Sequence, residues 1–325
     1  MLPERWLDRE LETLAQLAPF QRLELPALTD AGLTLAIKRE DLLHTHLGGN
    51  KLYKLHGHLQ AARAAGHEHL LSFGGAWSNH IHALAAAGQA LGFKTSGVIR
   101  GERPASLNAM LSGAESMGMQ LHFVSRHDYG LKHTSGFVDG LQRNFGPCHL
   151  IPEGGGDLTG ARGALAWGRG LTELWRREPF DVVCCAVGTG STLAGLTAGL
   201  PPQVSVCGFS VLKGEGSLHR DIEDQTRALG SQVADWILET DYHCGGYARY
   251  PRYLADFVRE FEAQTRVPLD PVYTAKMMWG LVQKVRSGHW PRGTRILALH
   301  SGGLQGRRGF PREFPAQSLP LHTAH

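Results

Sequence analysis

Several things are scarce in this 325-residue chain, and each scarcity narrows what it can be. Cysteine occurs five times, at Cys148, Cys184, Cys185, Cys207 and Cys244, with no CxxC pair. An odd number without paired spacing argues against a disulfide framework and for a reducing compartment. Cys184 and Cys185 lie inside the apolar run Val182–Val187, where thiols behave as small hydrophobes. Charge of one sign is lacking too: 33 basic residues stand against 30 acidic ones, with no basic run of five. A protein built for nucleic acid or for a membrane surface is more lopsided, so neither partner is expected. No apolar stretch approaches roughly 18 residues, and the start lacks the charged-then-apolar pattern of a signal peptide. The expected location is the cytoplasm.

What is present supports a large core and many tight loops. Hydrophobic residues make up 42% of the chain, charged residues only 19%, and there are 41 glycines. The length suggests two domains. Period-two and short apolar segments mark strands at Leu33–Ile37, Leu70–Phe73, Thr95–Ile99, Gln120–Val124, His149–Ile151, Asp181–Val187, Val204–Ser210 and Arg295–Leu299. Helical spacing falls between them, over Lys51–Ala65, Ser78–Leu91, Pro104–Met117, Leu131–Phe145, Ala161–Arg176, from Ser191, Arg252–Gln264 and Thr274–Val285. Strand–helix alternation with short links means parallel sheets covered by helices on both faces. The spacing is too irregular for an eightfold barrel, so an α/β fold of open, doubly wound sheets is expected.

Three glycine-rich turns sit where strand gives way to helix. Gly188-Thr189-Gly190-Ser191-Thr192 would point backbone N–H groups and a positive helix end at one spot, which suits a phosphate. A dinucleotide site does not fit, because position 193 is Leu and no acid stands about 20 residues on in Gly208–Val211. A Walker A loop fails for want of Gly-Lys-Ser/Thr. A small monophosphate remains, the alternative being a glycine-rich helix start with no ligand. The second turn is Gly48-Gly-Asn-Lys51-Leu-Tyr-Lys54. Only eight of the 33 basic residues are lysines. At a helix N-terminus an ammonium is disfavoured by the dipole, which raises the fraction of neutral amine able to form a Schiff base. Lys54 shares that helix face and could neutralise a phosphate; a solvated surface helix start is the plainer alternative. The third turn, Gly74-Gly-Ala-Trp-Ser78-Asn79-His80, offers side chains suited to a carboxylate and an aromatic hydroxyl, or simply helix caps.

An isolated lysine, a phosphate loop and a second anion-type helix start together suggest pyridoxal phosphate. With Leu-Asp-Pro-Val-Tyr-Thr at 269–274 and His300-Ser-Gly-Gly303, these motifs resemble the fold-type II pyridoxal phosphate enzymes, in the family's order from about residue 38 to 306. More narrowly they resemble the D-cysteine desulfhydrase and 1-aminocyclopropane-1-carboxylate deaminase family. The resemblance implies two doubly wound parallel-sheet domains of tryptophan synthase β-like form, with the cofactor in the cleft between them. A large domain would be drawn from 1–47 and 166–325, and a small inserted one from 48–165. It implies that Lys51 carries the Schiff base and moves the α-proton, that Asn79 bonds the cofactor's ring hydroxyl, and that Ser78 lies near the substrate carboxylate. It implies phosphate contacts from Lys54 and Gly188, Thr189, Gly190, Ser191 and Thr192. Tyr247, in Gly-Gly-Tyr-Ala-Arg-Tyr-Pro, and Tyr273 would face the substrate. Thr274 or Ser301 would meet the pyridine nitrogen, and His80 would lie near the ring. The partners implied are a small amino-acid substrate and a second copy of the chain, as a homodimer.

The departures concern substrate. Trp77 stands where the family usually has Gln, Thr274 matches the desulfhydrases rather than the Glu of the deaminases, and Ser301 replaces Thr while keeping the hydroxyl. The expected reaction is D-cysteine to pyruvate, sulfide and ammonia by a lyase, the alternative being 1-aminocyclopropane-1-carboxylate to 2-oxobutyrate and ammonia. Eighteen histidines, in pairs such as His44/His46, His56/His58, His67/His69 and His80/His82, raise the competing idea of a metal-dependent hydrolase. Residues i and i+2 on a helix lie on different faces, which argues against chelation by the helical pairs. Trp77 raises another, a cofactor carrier without catalysis.

Overall fold

The computed structural model describes residues 5–214, 216–230 and 233–315. Ten strands are numbered in chain order: β1 (Phe20–Leu23), β2 (Thr34–Lys38), β3 (His69–Gly74), β4 (Lys94–Arg100), β5 (Met119–Val124), β6 (His149–Ile151), β7 (Val182–Val187), β8 (Ser205–Ser210), β9 (Trp236–Glu239) and β10 (Arg295–Leu299). Six form a sheet of order β1-β2-β10-β7-β8-β9, and four form a second of order β5-β4-β3-β6. All neighbours are parallel except β1, which runs antiparallel to β2 along the edge of the larger sheet.

Alternation along the central strands explains why both faces of the larger sheet are buried. Val183, Cys185 and Val187 of β7 join one core cluster with Trp167 and Leu193, while Val182, Cys184 and Ala186 join another with Phe261 and Met278. A parallel strand covered on both sides reads as a continuous apolar run, as β7 does. All five cysteines are free and buried.

Two helices expected from spacing differ. The one expected from Pro104 begins only at Ala109, because the Asn108 side chain accepts from the amides of Met110 and Leu111 and so caps it there. The stretch expected as one helix over 131–145 is preceded by a short helix, Arg126–Gly130, capped by Ser125, and the longer helix starts only at Ser135. Strands β1 and β9 and the helices Leu11–Leu17, Pro26–Ala31 and Leu218–Leu229 are additional to those expected.

Two close approaches position the elements that matter for function. The helix Asn50–Ala64 crosses the helix Leu158–Arg177 at Gly163, where any Cβ would lie 1.9 Å from the Tyr53 carbonyl oxygen. Gly49, at φ +85°, sits against the loop after β10, and a Cβ there would lie 2.0 Å from the Ser301 carbonyl oxygen. Only glycine permits that backbone and that contact together. Among the described residues no helix is long and apolar enough to cross a membrane.

Candidate active site

The C-terminal ends of parallel strands in the two sheets open onto a cleft of about 330 Å³, a volume suited to a small ligand. Ligands of open α/β sheets bind at such strand ends. The structure brings Lys51, Lys54, Ser78, Asn79, His80, Gly188, Thr189, Gly190, Thr192, Tyr247 and Tyr273 to its walls. Ser191 is buried just behind, with its hydroxyl 3.4 Å from that of Thr189.

One end of the cleft has the donors a phosphate monoester needs. Gly190, at φ +86°, precedes the helix Ser191–Gly199, so the free amides of the first turn face the loop. Lys54 is buried and donates to the Thr189 hydroxyl at 3.0 Å, and Asn50 donates to Thr192 at 3.2 Å. Burial holds the Lys54 ammonium well below its ordinary pKa, and neighbouring Lys51 adds to the effect. A buried cation whose near partner is a neutral hydroxyl favours an anion beside it.

Lys51 lies in the first turn of its helix and lines the same cleft. Burial lowers its ammonium to about 8, against a smaller raising effect of the Asp270 carboxylate. Desolvation is thus the leading cause of the shift that spacing attributed to the helix dipole. A substantial neutral fraction is then present near neutrality, as a Schiff-base lysine requires.

Ser78 is the N-cap of the helix Asn79–Leu91, accepting from the Ile81 amide at 3.3 Å, so its own proton stays available to a carboxylate. The Asn79 oxygen accepts from Gln305 at 3.1 Å, which leaves its amino group free to donate to a ring oxygen. Gln305 escaped sequence reasoning, as it lies in a 3₁₀ turn just past the His300–Gly303 motif and belongs to no motif itself. His80 is buried and bonded through Nε2 to Ser72 Oγ at 2.8 Å. Ser72 donates its own proton to the Ile151 carbonyl, so Nε2 must carry the hydrogen and Nδ1 is a bare acceptor. Burial depresses His80 well below its usual pKa and keeps it neutral.

Tyr247 and Tyr273 meet edge to face, with ring centroids 6.2 Å apart. Burial holds the Tyr273 hydroxyl far above its ordinary pKa, so it keeps its proton at neutral pH. Buried Lys276 donates to the Gly246 carbonyl at 2.6 Å and so ties down the Tyr247 loop. Glu153 and Arg100 also line the cleft, and neither belongs to a motif.

Thr274 and Ser301 are placed differently from the rest. Thr274 is fully buried and its hydroxyl is engaged by the backbone of Asp270, accepting its amide at 2.7 Å. It does not line the cleft, whereas Ser301 lines a smaller cavity that shares Lys51, Asn79 and Tyr273 with it. The Trp77 ring packs on Gly309, where a Cβ would lie 3.3 Å from it, and is not part of the cleft wall. The helical histidine pairs separate, with His58 meeting His149 and Asp157 and His82 meeting His46, while His44 and His46 stay together; no group of three or more metal-type ligands occurs among the described residues.

Comparison with known proteins bears on the family and the fold. The model of the family described as "Pyridoxal-phosphate dependent enzyme" matches residues 15–302. The chain is 30% identical, over 90% of its length and 94% of the relative's, to a putative 1-aminocyclopropane-1-carboxylate deaminase of Pyrococcus horikoshii. It is 28% identical, over 89% of its length and 76% of the relative's, to the mitochondrial bifunctional D-cysteine desulfhydrase/1-aminocyclopropane-1-carboxylate deaminase of Arabidopsis thaliana. A crystal structure of an ACC deaminase homologue superposes with a TM-score of 0.79 at 27% identity, covering 94% of this chain and 98% of the other. None of these relatives supports a hydrolase.

Proposed function

This chain belongs to the pyridoxal-phosphate dependent enzymes, and from that premise we propose a lyase acting on a small amino acid, with D-cysteine preferred over 1-aminocyclopropane-1-carboxylate. The cofactor, when bound, supplies an aldehyde for amines and a ring that draws electrons from the substrate's α-carbon. The observation that carries the reading is Lys51, with its ammonium lowered to about 8, sharing one small cleft with the phosphate-type loop and the tyrosine pair.

In this reading Lys54, Thr189, Ser191, Thr192 and the amides of their helix hold the phosphate, and the Asn79 amino group steadies the ring oxygen. Lys51 Nζ would hold the cofactor and, once freed as the substrate binds, would receive the α-proton. Ser78 donates to the substrate carboxylate. Tyr273 or Tyr247 delivers a proton to the sulfur as the Cβ–S bond breaks with its electron pair on sulfur. Water then completes the release of pyruvate and ammonia. The division into 1–47 plus 166–325 and 48–165, a homodimer and a cytoplasmic location belong to the same proposal.

The substrate preference rests on position 274. Ring opening of a cyclopropane without prior α-proton removal needs a strongly electron-withdrawing, protonated ring, which a carboxylate partner favours. Here that position is Thr274, already engaged by Asp270, and Ser301 offers only a hydroxyl. A thiolate is a good leaving group and needs less assistance. D-Cysteine, or 3-chloro-D-alanine, is expected to exceed the cyclopropane substrate by at least about tenfold in kcat/KM, some 1.4 kcal/mol in barrier. Release of 2-oxobutyrate from the cyclopropane at or above the rate of pyruvate release from D-cysteine would overturn this and favour the deaminase.

A further inference from the structure

The charges in the cleft are unequal to what the proposed reaction uses. Its basic residues are Lys51, Lys54 and Arg100, and its single acidic residue is Glu153. Glu153 is paired with Lys132 at 3.5 Å. Lys54 lies with the hydroxyl of Thr189, in the phosphate-type loop, and Lys51 supplies the reacting amine. Arg100 has no such employment. It ends β4 at the mouth of the cleft, in register with Val124 of β5. Its guanidinium lies 5.8 Å over the Tyr129 ring, and Nη2 comes 3.6 Å from where a Cβ on Gly75 would stand. That places it beside the Gly74–Ser78 turn. Among the described residues no carboxylate pairs with it.

A guanidinium held against an aromatic face at a cleft mouth is a planar, permanently charged fork suited to an oxyanion. The Ser78 turn already provides for the α-carboxylate. We propose that Arg100 determines specificity by receiving a second oxyanion group on the substrate, so that among 3-substituted alanines those whose departing substituent carries a negative charge are favoured. The inference rests on the lyase reading and extends it. D-Cysteine, whose departing group is a bare thiol, leaves Arg100 without a counter-ion. For a charged thioether the atoms balance as before. The α-proton goes to Lys51, the Cβ–S bond breaks with its pair on sulfur, and a tyrosine protonates the sulfur. Water yields pyruvate and ammonia beside the free acidic thiol.

The test compares S-carboxymethylcysteine with S-carbamoylmethylcysteine, which differ in charge but hardly in size, each as both enantiomers. The holoenzyme is assayed for pyruvate release and titrated by calorimetry. The acid is expected to exceed the amide by at least about tenfold in kcat/KM and in affinity for the better-bound enantiomer. Arg100→Gln should bring that ratio close to one, and Arg100→Lys should retain part of it, because the charge survives and the fork does not. Cofactor absorbance shows that each variant is folded and loaded. A wild-type ratio at or below one overturns the proposal. So does a ratio unchanged by Arg100→Gln, or an equal loss for acid and amide, which would assign Arg100 to the α-carboxylate. If neither compound nor D-cysteine yields pyruvate, the lyase reading fails. The calorimetric ratio and its loss in Arg100→Gln then still decide the role of Arg100.

Discussion

At the scale of single residues, the behaviour of the site turns on which amine is neutral and which hydroxyl keeps its proton. Lys51 and Lys54 stand three residues apart on one helix and both lose solvent, yet only Lys54 is bonded to the Thr189 hydroxyl. Borohydride reduction of the holoenzyme followed by peptide mapping should therefore place the pyridoxyl group on the Lys51 peptide. Label on Lys54, Lys38 or Lys276 would refute the assignment. The sign of the pH effect follows from the lowered pKa. Neutral Lys51 amine increases as pH rises through about 8, so cofactor loading of the apo protein should accelerate over that range. Asp270 raises the Lys51 pKa, so Asp270→Asn should move this transition to lower pH.

At the scale of elements, the more exposed of the two cleft-lining tyrosines depends on a buried lysine in a helix. Tyr247 is 40% exposed and follows two glycines of positive φ, while Ala248 itself has φ 56°. Such a loop is costly to hold unless something fixes it. Lys276, from the helix Thr274–Arg286, does so through the Gly246 carbonyl. A hydrogen bond to a charged group is worth roughly 1.5–3 kcal/mol. Lys276→Met should thus lower kcat by about tenfold or more while cofactor binding persists. Faster amide exchange over residues 243–250 would mark the loop as the cause; unchanged exchange with unchanged kcat would remove Lys276 from this role.

At the scale of the whole molecule, the cofactor-side helices are joined through one buried carboxylate. Glu40, just after β2, accepts from the Tyr53 hydroxyl at 2.5 Å and from the Trp167 indole at 3.0 Å, and those two rings stack 4.6 Å apart. The residue thereby links the helix of Lys51 to Leu158–Arg177. Burial raises its pKa from 4.5 to about 7, against lowering effects from Lys38, Tyr53 and Trp167. A raised folded-state pKa means that this contribution to stability is complete below about 4.5 and is lost as pH rises through about 7. In urea unfolding of the apo protein, Glu40→Gln should flatten the pH dependence across that window, by about 3 kcal/mol between its ends. Parallel curves for the two proteins would contradict it.

Much of this was legible in the chain. The runs Leu70–Phe73 and Val182–Val187 could only be buried strands, and the glycine-rich turns after such strands marked the helix starts that now line the cleft. Local chemistry decides these features: apolar periodicity, glycine at strained turns, hydroxyls at helix N-termini. Strands β1 and β9 were not legible, because at the two edges of the larger sheet their residues are only partly buried and carry no clear apolar alternation. Gln305, Lys276 and Arg100 lie outside every motif, and their parts arise from where the backbone sets them. The family resemblance offered Thr274 or Ser301 as a partner for the ring nitrogen, and packing gives the Thr274 hydroxyl to the Asp270 backbone. By itself, then, the sequence determined the α/β alternation and, through the resemblance its motifs carry, the cofactor class. Only the tertiary structure decided which charges were desolvated, which were paired and which, like Arg100, faced the cleft without a counter-ion. Desolvation and pairing depend on distances between residues far apart in the chain, and no local pattern encodes them.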